Sequence, residues 1–187
     1  MFRPLEKTTT RWAPLDGVGL EHLHLEKAEN QIIAQGVTIG ERGGVPYGAT
    51  YRVLCDPAWH VREFYVALMD GRQLHMRSDG EGHWHFGDGS PAPEFDGCID
   101  IDLAATPFTN TLPIRRTDLR QAESREFSML YVPFNTLTPI VDRQIYTCRV
   151  EHRLYRYEAS DRTFTTELPV DADGLVGDYP TLFRRVI

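Results

Sequence analysis

Three aspartates crowd into the segment Phe95-Asp96-Gly97-Cys98-Ile99-Asp100-Ile101-Asp102-Leu103. If that segment is extended, Asp100 and Asp102 share one face while Ile99, Ile101 and Leu103 take the other, because side chains alternate along a strand. Two carboxylates so spaced suit general acid and base work on a sugar. The commoner use is to neutralise arginines, and the doublet Arg115-Arg116 follows shortly after. Neighbouring side chains of an extended segment point to opposite faces. One of the two arginines is therefore expected to turn inward onto Asp100 or Asp102, and the other to lie nearer solvent.

His83-Trp84-His85 places two imidazoles on one strand face, about 7 Å apart at the Cα atoms, with His75 one hairpin away. Three histidines suit zinc or iron. A metal-binding cupin barrel, however, carries a glutamate three or four residues beyond its HxH, and here Phe86-Gly87-Asp88-Gly89 follows. The pair reads as solvent-facing histidines flanking a buried Trp84, and no metal is assigned. Asp171-Ala172-Asp173-Gly174 begins like a calcium loop, but the twelfth position is Leu182, not Glu. There is no G-x-S-x-G, and none of the three cysteines sits in a nucleophile signature. Gly40-Glu41-Arg42-Gly43-Gly44 lacks the Lys-Ser/Thr of a phosphate cradle and reads as a hairpin turn. These motifs assign neither a catalytic residue nor a cofactor.

The elements that must position these groups follow from punctuation and period. The 15 glycines and 12 prolines are spread along the chain and leave few places for a long helix. Between them the dominant period is two. Leu23 and Leu25 oppose His22, His24 and Glu26. Tyr47, Ala49, Tyr51, Val53 and Cys55 share one parity. Phe64, Val66 and Leu68 face away from Val61, Tyr65, Ala67 and Met69. Leu74/Met76, Trp84/Phe86, Ile99/Ile101/Leu103 and the stretch Arg153 to Glu158 continue the habit, separated by Gly-Asp, Gly-Gly and Asp-Gly turns. This describes a largely antiparallel sheet in one domain spanning 1–187. The best helix candidate is Thr117 to Glu126, which reads equally well as a turn between strands.

Size and charge agree. A chain of 187 residues, 41% hydrophobic and 25% charged, buries a sizeable core and is not globally disordered. Its net charge of -7 argues against nucleic acid or anionic membrane partners, which need a basic footprint. No segment is apolar for long enough to span a bilayer, and Met1 to Lys7 lacks the apolar stretch of a secretory leader. With Cys55, Cys98 and Cys148 far apart and odd in number, three unpaired thiols and a cytoplasmic location are expected.

The run Thr106-Pro107-Phe108-Thr109-Asn110-Thr111-Leu112-Pro113-Ile114-Arg115-Arg116, with Asp96-Gly97-Cys98-Ile99-Asp100-Ile101-Asp102 before it, resembles the signature of a bacterial glycolipid-binding family that was once a domain of unknown function. Gly19-Leu20-Glu21, Trp59, Asp79 to Trp84, Gln144-Ile145-Tyr146-Thr147, Tyr155-Arg156-Tyr157 and Val170 to Pro180 fit the same pattern, so the resemblance covers roughly 12–185. It implies a mainly β fold with little helix: a single long antiparallel sheet curled into a spiral β-roll, like the lipoprotein carriers of the bacterial envelope, whose curved sheets enclose a greasy cavity.

The reading that follows is a glycolipid or other amphiphile held with its apolar moiety in a curled-sheet cavity and its polar end among Arg and Asp groups. The candidate contacts are Arg115, Arg116, Asp100, Asp102, Asn110, Trp84 and Tyr146. The alternatives are an enzyme acting through Asp100 and Asp102 on a sugar- or phosphate-bearing small molecule, and a structural or protein-interaction domain whose signature only pins the roll shut.

Overall fold

The computed structural model describes residues 1–42 and 44–186; Arg42 is placed by its backbone alone. Strands make up 54% of the chain and helix 8%. In chain order the strands are β1 (Lys7–Pro14), β2 (Leu20–Ala28), β3 (Gln31–Arg42), β4 (Val45–Cys55), β5 (Val61–Leu68), β6 (Gln73–Ser78), β7 (Trp84–Phe86) and β8 (Asp100–Leu103). Then come β9 (Ser124–Val132), β10 (Ile140–Val150), β11 (Leu154–Ala159), β12 (Thr165–Pro169) and β13 (Phe183–Val186). The expected mainly β fold with little helix is observed, built from two sheets where a single continuous one was expected. A large antiparallel sheet runs β13-β1-β2-β3-β4-β5-β6-β7, and a strongly curled second sheet runs β12-β11-β10-β9-β8. Of the turn expected at Gly40 to Gly44, Gly40 to Arg42 instead extend β3 and pair with Val45 to Tyr47 of β4, Gly44 is a turn residue, and Gly43 lies outside the described residues.

Alternation does most of the positioning. Leu23 and Leu25 of β2, and Tyr51, Val53 and Cys55 of β4, are buried on one face of the large sheet. Val61 breaks the parity assigned to it. The register slips from Leu54 opposite Glu63 to Cys55 opposite Val61, so Arg62 is the extra residue of a bulge and Val61 turns into the core. Trp84 is buried too, as expected; its ring packs edge-on against Phe64 and its Nε1–H donates to the Cys98 carbonyl at 2.7 Å. Cys55, Cys98 and Cys148 are buried and unpaired.

The helix lies earlier than Thr117 to Glu126. A 3-10 turn at Pro107–Asn110 runs into α1 (Thr111–Thr117), and the chain then turns before β9. Topology explains this. β8 and β9 are parallel neighbours, and parallel strands need a crossover connection, commonly helical. Pro107 and Pro113 sit in first turns, where a missing N–H costs no helical bond, and Leu112 and Ile114 supply the buried side. Asp118, with φ of 46°, ends α1 in the left-handed region.

Among the described residues no helix is long and apolar enough to cross a membrane.

Candidate functional site

The curled sheet presents one face through Asp100 and Asp102 of β8, Met129 and Tyr131 of β9, Asp142, Gln144 and Tyr146 of β10, and Tyr157 of β11, which the strand registers bring side by side. Toward one end of this face lies a cleft of about 380 Å³. Asp102, Asn110 and Asp142 supply its charged and amide groups, with Thr106 beside them. Tyr157, Phe164, Tyr179 and Phe183 supply aromatic wall.

The polar groups are held from behind. The Gln144 side-chain amide, itself buried, donates to Asp102 Oδ2 at 2.7 Å and lies 3.0 Å from Asp142 Oδ2, so one NH₂ spans both carboxylates. Thr109 Oγ1 donates to Asp102 Oδ1 at 3.0 Å. The buried Tyr146 hydroxyl donates to Asn110 Oδ1 at 2.8 Å, while Asn110 Nδ2 donates to the Pro107 carbonyl at 3.1 Å. Burial pushes the Tyr146 phenol well above its ordinary value, and burial likewise raises Tyr157 and Tyr179, so all three remain neutral hydroxyls.

Of the residues singled out from sequence, Asp102 and Asn110 line the cleft and Tyr146 stands directly behind Asn110. Asp100 lies deeper, where Arg116 clasps it with Nε and Nη2 at 3.1 and 2.6 Å. Burial raises the Asp100 carboxyl above its ordinary value, and the hydrogen bonds and charge of Arg116 act against that. One arginine does turn inward onto an aspartate, but not by strand alternation: both lie on α1, where successive side chains are separated by about a third of a turn. Arg115 packs its guanidinium between the Phe2 and Trp59 rings, 5.1 and 4.8 Å from their centroids, and donates to the Arg3 carbonyl. Neither arginine lines the cleft, and Trp84 belongs to the core of the large sheet.

Sequence reasoning named Gln144, Tyr157 and Tyr179 only within the family resemblance and missed Asp142, Phe164 and Phe183; these groups come together through β10 pairing with β9 and β11 and through the C-terminal segment. It also missed Glu21. That residue has the parity of Leu23 and Leu25 and is buried with them, so the pattern held the signal. Tyr51 reaches from β4 across Gly36 of β3 and donates to Glu21 Oε1 at 2.5 Å. A Cβ at position 36 would lie 2.1 Å from the Tyr51 ring, so only glycine leaves this crossing open. The Tyr51 hydroxyl is also 3.4 Å from Thr106 Oγ1, at the edge of the cleft. Burial pushes the Glu21 carboxyl up to about 8.

Elsewhere the histidines serve local ends. His83 is exposed and bonds Asp79, and His75 meets Glu63. No group of three or more His, Cys, Asp or Glu side chains among the described residues is arranged to hold a metal ion. Asp171 caps its own turn through the backbone N–H groups of Asp173 and Leu175 and pairs with Arg185, while Asp173 pairs with Arg3.

A family described as "Putative glycolipid-binding" matches residues 9–185. A crystal structure of a DUF1089 family protein from Pseudomonas aeruginosa superposes with a TM-score of 0.77 and is 39% identical in sequence, over 100% of this chain and 95% of that one. No curated protein matches.

Proposed function

The chain belongs to this glycolipid-binding family, and we propose that it binds a sugar-bearing amphiphile whose head group lies in the cleft between β8, β10 and the C-terminal segment. The observation that carries this reading is the pairing of oriented acceptors with aromatic walls. Asp142, held by the Gln144 amide that it shares with Asp102, keeps further lone pairs for sugar hydroxyls, because a carboxylate accepts more than one hydrogen bond. The rings of Tyr157, Tyr179 and Phe183 offer flat apolar surface to the C–H face of a pyranose. A largely apolar pocket with a few fixed polar groups is the usual form of a small-molecule site.

In this reading Asn110 is a further contact, presented by Tyr146, while Asp100 and Arg116 fix the frame from which Asp102 projects. Arg115 and Trp84 act as packing residues. The alternative of catalysis through Asp100 and Asp102 has no comparable support, since Asp100 commits both oxygens to Arg116.

Native mass spectrometry of freshly purified protein tests the reading. The expected result is a mass excess that organic extraction removes and that yields a hexose-bearing amphiphile on fragmentation. Protein at its bare chain mass, together with no saturation transfer from any alkyl glucoside in solution, would overturn it.

A further inference from the structure

A second cavity adjoins the cleft at Tyr131. Ala104 and Tyr131 line both, and the second measures about 240 Å³. Tyr47, Phe134 and Asn135 are in turn shared between that cavity and a third, of about 160 Å³. The three spaces are therefore neighbours in a row, each sharing wall residues with the next, and their chemistry changes along the way. The first carries Asp102, Asn110 and Asp142, whereas Val45, Pro46, Leu68, Met69 and Phe134 dominate the third. We infer that the second and third cavities are the track for one alkyl chain of the ligand whose head group occupies the cleft. This inference rests on the head-group reading above.

Three observations select an alkyl chain as the occupant. The second and third cavities each fall below the roughly 300 Å³ at which pockets begin to hold a drug-sized molecule. They suit a thin, flexible segment and not a ring-bearing head. The outer wall of the third cavity includes Met69 and Val45, which are 71% and 60% exposed, so large apolar surface waits there for a cover. The polar groups of this end are turned to its rim. Arg72 bonds Asp70 Oδ2 at 2.9 and 2.6 Å and the Asn135 carbonyl at 2.6 Å, which ties the turn after β5 to the segment after β9 and holds the two walls together.

The test is a chain-length series, methyl to dodecyl β-D-glucoside, titrated below each micelle concentration into the wild type, Met69→Asp and Val45→Asp. In the wild type, affinity is expected to rise about two- to fourfold per methylene once the chain passes the cleft, the range expected for partial to full burial of a CH₂ group. Met69→Asp alters an exposed side chain and is expected to fold normally, to bind methyl glucoside unchanged, and to lose at least fivefold on the dodecyl probe. Val45→Asp, at the other exposed position of the same wall, should weaken the longest chains only. A wild-type series with no chain-length dependence, or one that both variants leave untouched, overturns the track. If methyl glucoside binds in that case, the head-group reading survives alone. If the long chains bind and the variants weaken them while methyl glucoside does not bind, the track stands and the head-group reading falls. No binding at any length overturns both.

Discussion

Asp100 and Glu21 are equally hidden from water, each 1% exposed, and each stands one step behind the cleft. Asp100 is two residues from Asp102 on the same strand face, and Glu21 reaches Thr106 through the Tyr51 hydroxyl. They differ in their partners. Asp100 meets a guanidinium fork that supplies two hydrogen bonds and a full opposite charge. Glu21 meets a phenol, and its second oxygen has no hydrogen-bond partner among the described residues. Burial pushes both carboxyls upward; the hydrogen bonds and charge of Arg116, with the charge of His60, act against it at Asp100, whereas only the neutral hydroxyls of Thr106 and Tyr51 do so at Glu21. The difference teaches that depth alone does not decide how an acid is held: the guanidinium fork offsets part of the upward push at Asp100, while Glu21, pushed up to about 8, is mostly a neutral acid at pH 7. The same polypeptide thus supports one side of its cleft with an ion pair and the other with a neutral hydrogen bond.

The largest effect expected from breaking this comparison is at Arg116. Arg116→Ala strands a buried carboxylate and should cost about 3–5 kcal/mol in urea unfolding at pH 7. Replacing the pair together, Asp100→Asn with Arg116→Met, should recover most of that loss. Equal, small losses in both proteins would show that the fork does not compensate a charge.

The second effect is one of pH. The folded Glu21 titrates near 8 and the unfolded one near its ordinary 4.5. Between these values the unfolded chain has released a proton that the folded chain retains. The Glu21 contribution to stability is therefore full below about 4.5 and is lost as pH rises toward 8, at up to about 1.4 kcal/mol per pH unit. Glu21→Gln removes this slope, so the variant should gain on the wild type steadily from pH 5 to pH 8, by chemical denaturation at each pH. Parallel curves would place Glu21 as an ordinary carboxylate.

The smallest effect is at Arg115, the neighbour of Arg116. Its guanidinium stacks between Phe2 and Trp59 without an ion-pair partner among the described residues, so Arg115→Ala should cost about 1 kcal/mol or less. The melting temperature should move by only a few degrees, against a far larger drop for Arg116→Ala.

Much of this frame was legible in the chain. Strict alternation placed Leu23, Leu25, Val53 and Phe64 in the core, and the spacing of Asp100, Asp102 and Arg115-Arg116 announced an acid–arginine contact. Of the candidate contacts, only Asp102 and Asn110 line the cleft, with Tyr146 behind them, because its other members are distant in sequence. Asp142 and Gln144 reach Asp102 through the β9–β10 register, and Tyr179 and Phe183 arrive from the C-terminal segment. The parallel β8–β9 pair escaped because period-two alternation is the same in both strand directions, and that pair is what shifts the helix to Thr111–Thr117. Glu21 escaped for a different reason. A lone acid with core parity reads as an exception until Tyr51 is seen to cross Gly36 and meet it.

The central claim is a division of labour, in which Asp100 and Glu21 hold the frame and Asp102 and Asp142 face the ligand. Isothermal titration of octyl β-D-glucoside into the wild type, Asp142→Asn and Glu21→Gln at pH 6 addresses it most directly. Losing a charge-assisted hydrogen bond should weaken binding about tenfold in Asp142→Asn, with the melting temperature unchanged. Glu21→Gln should bind as the wild type does. Equal affinity in all three proteins, or a loss confined to Glu21→Gln, would contradict the account.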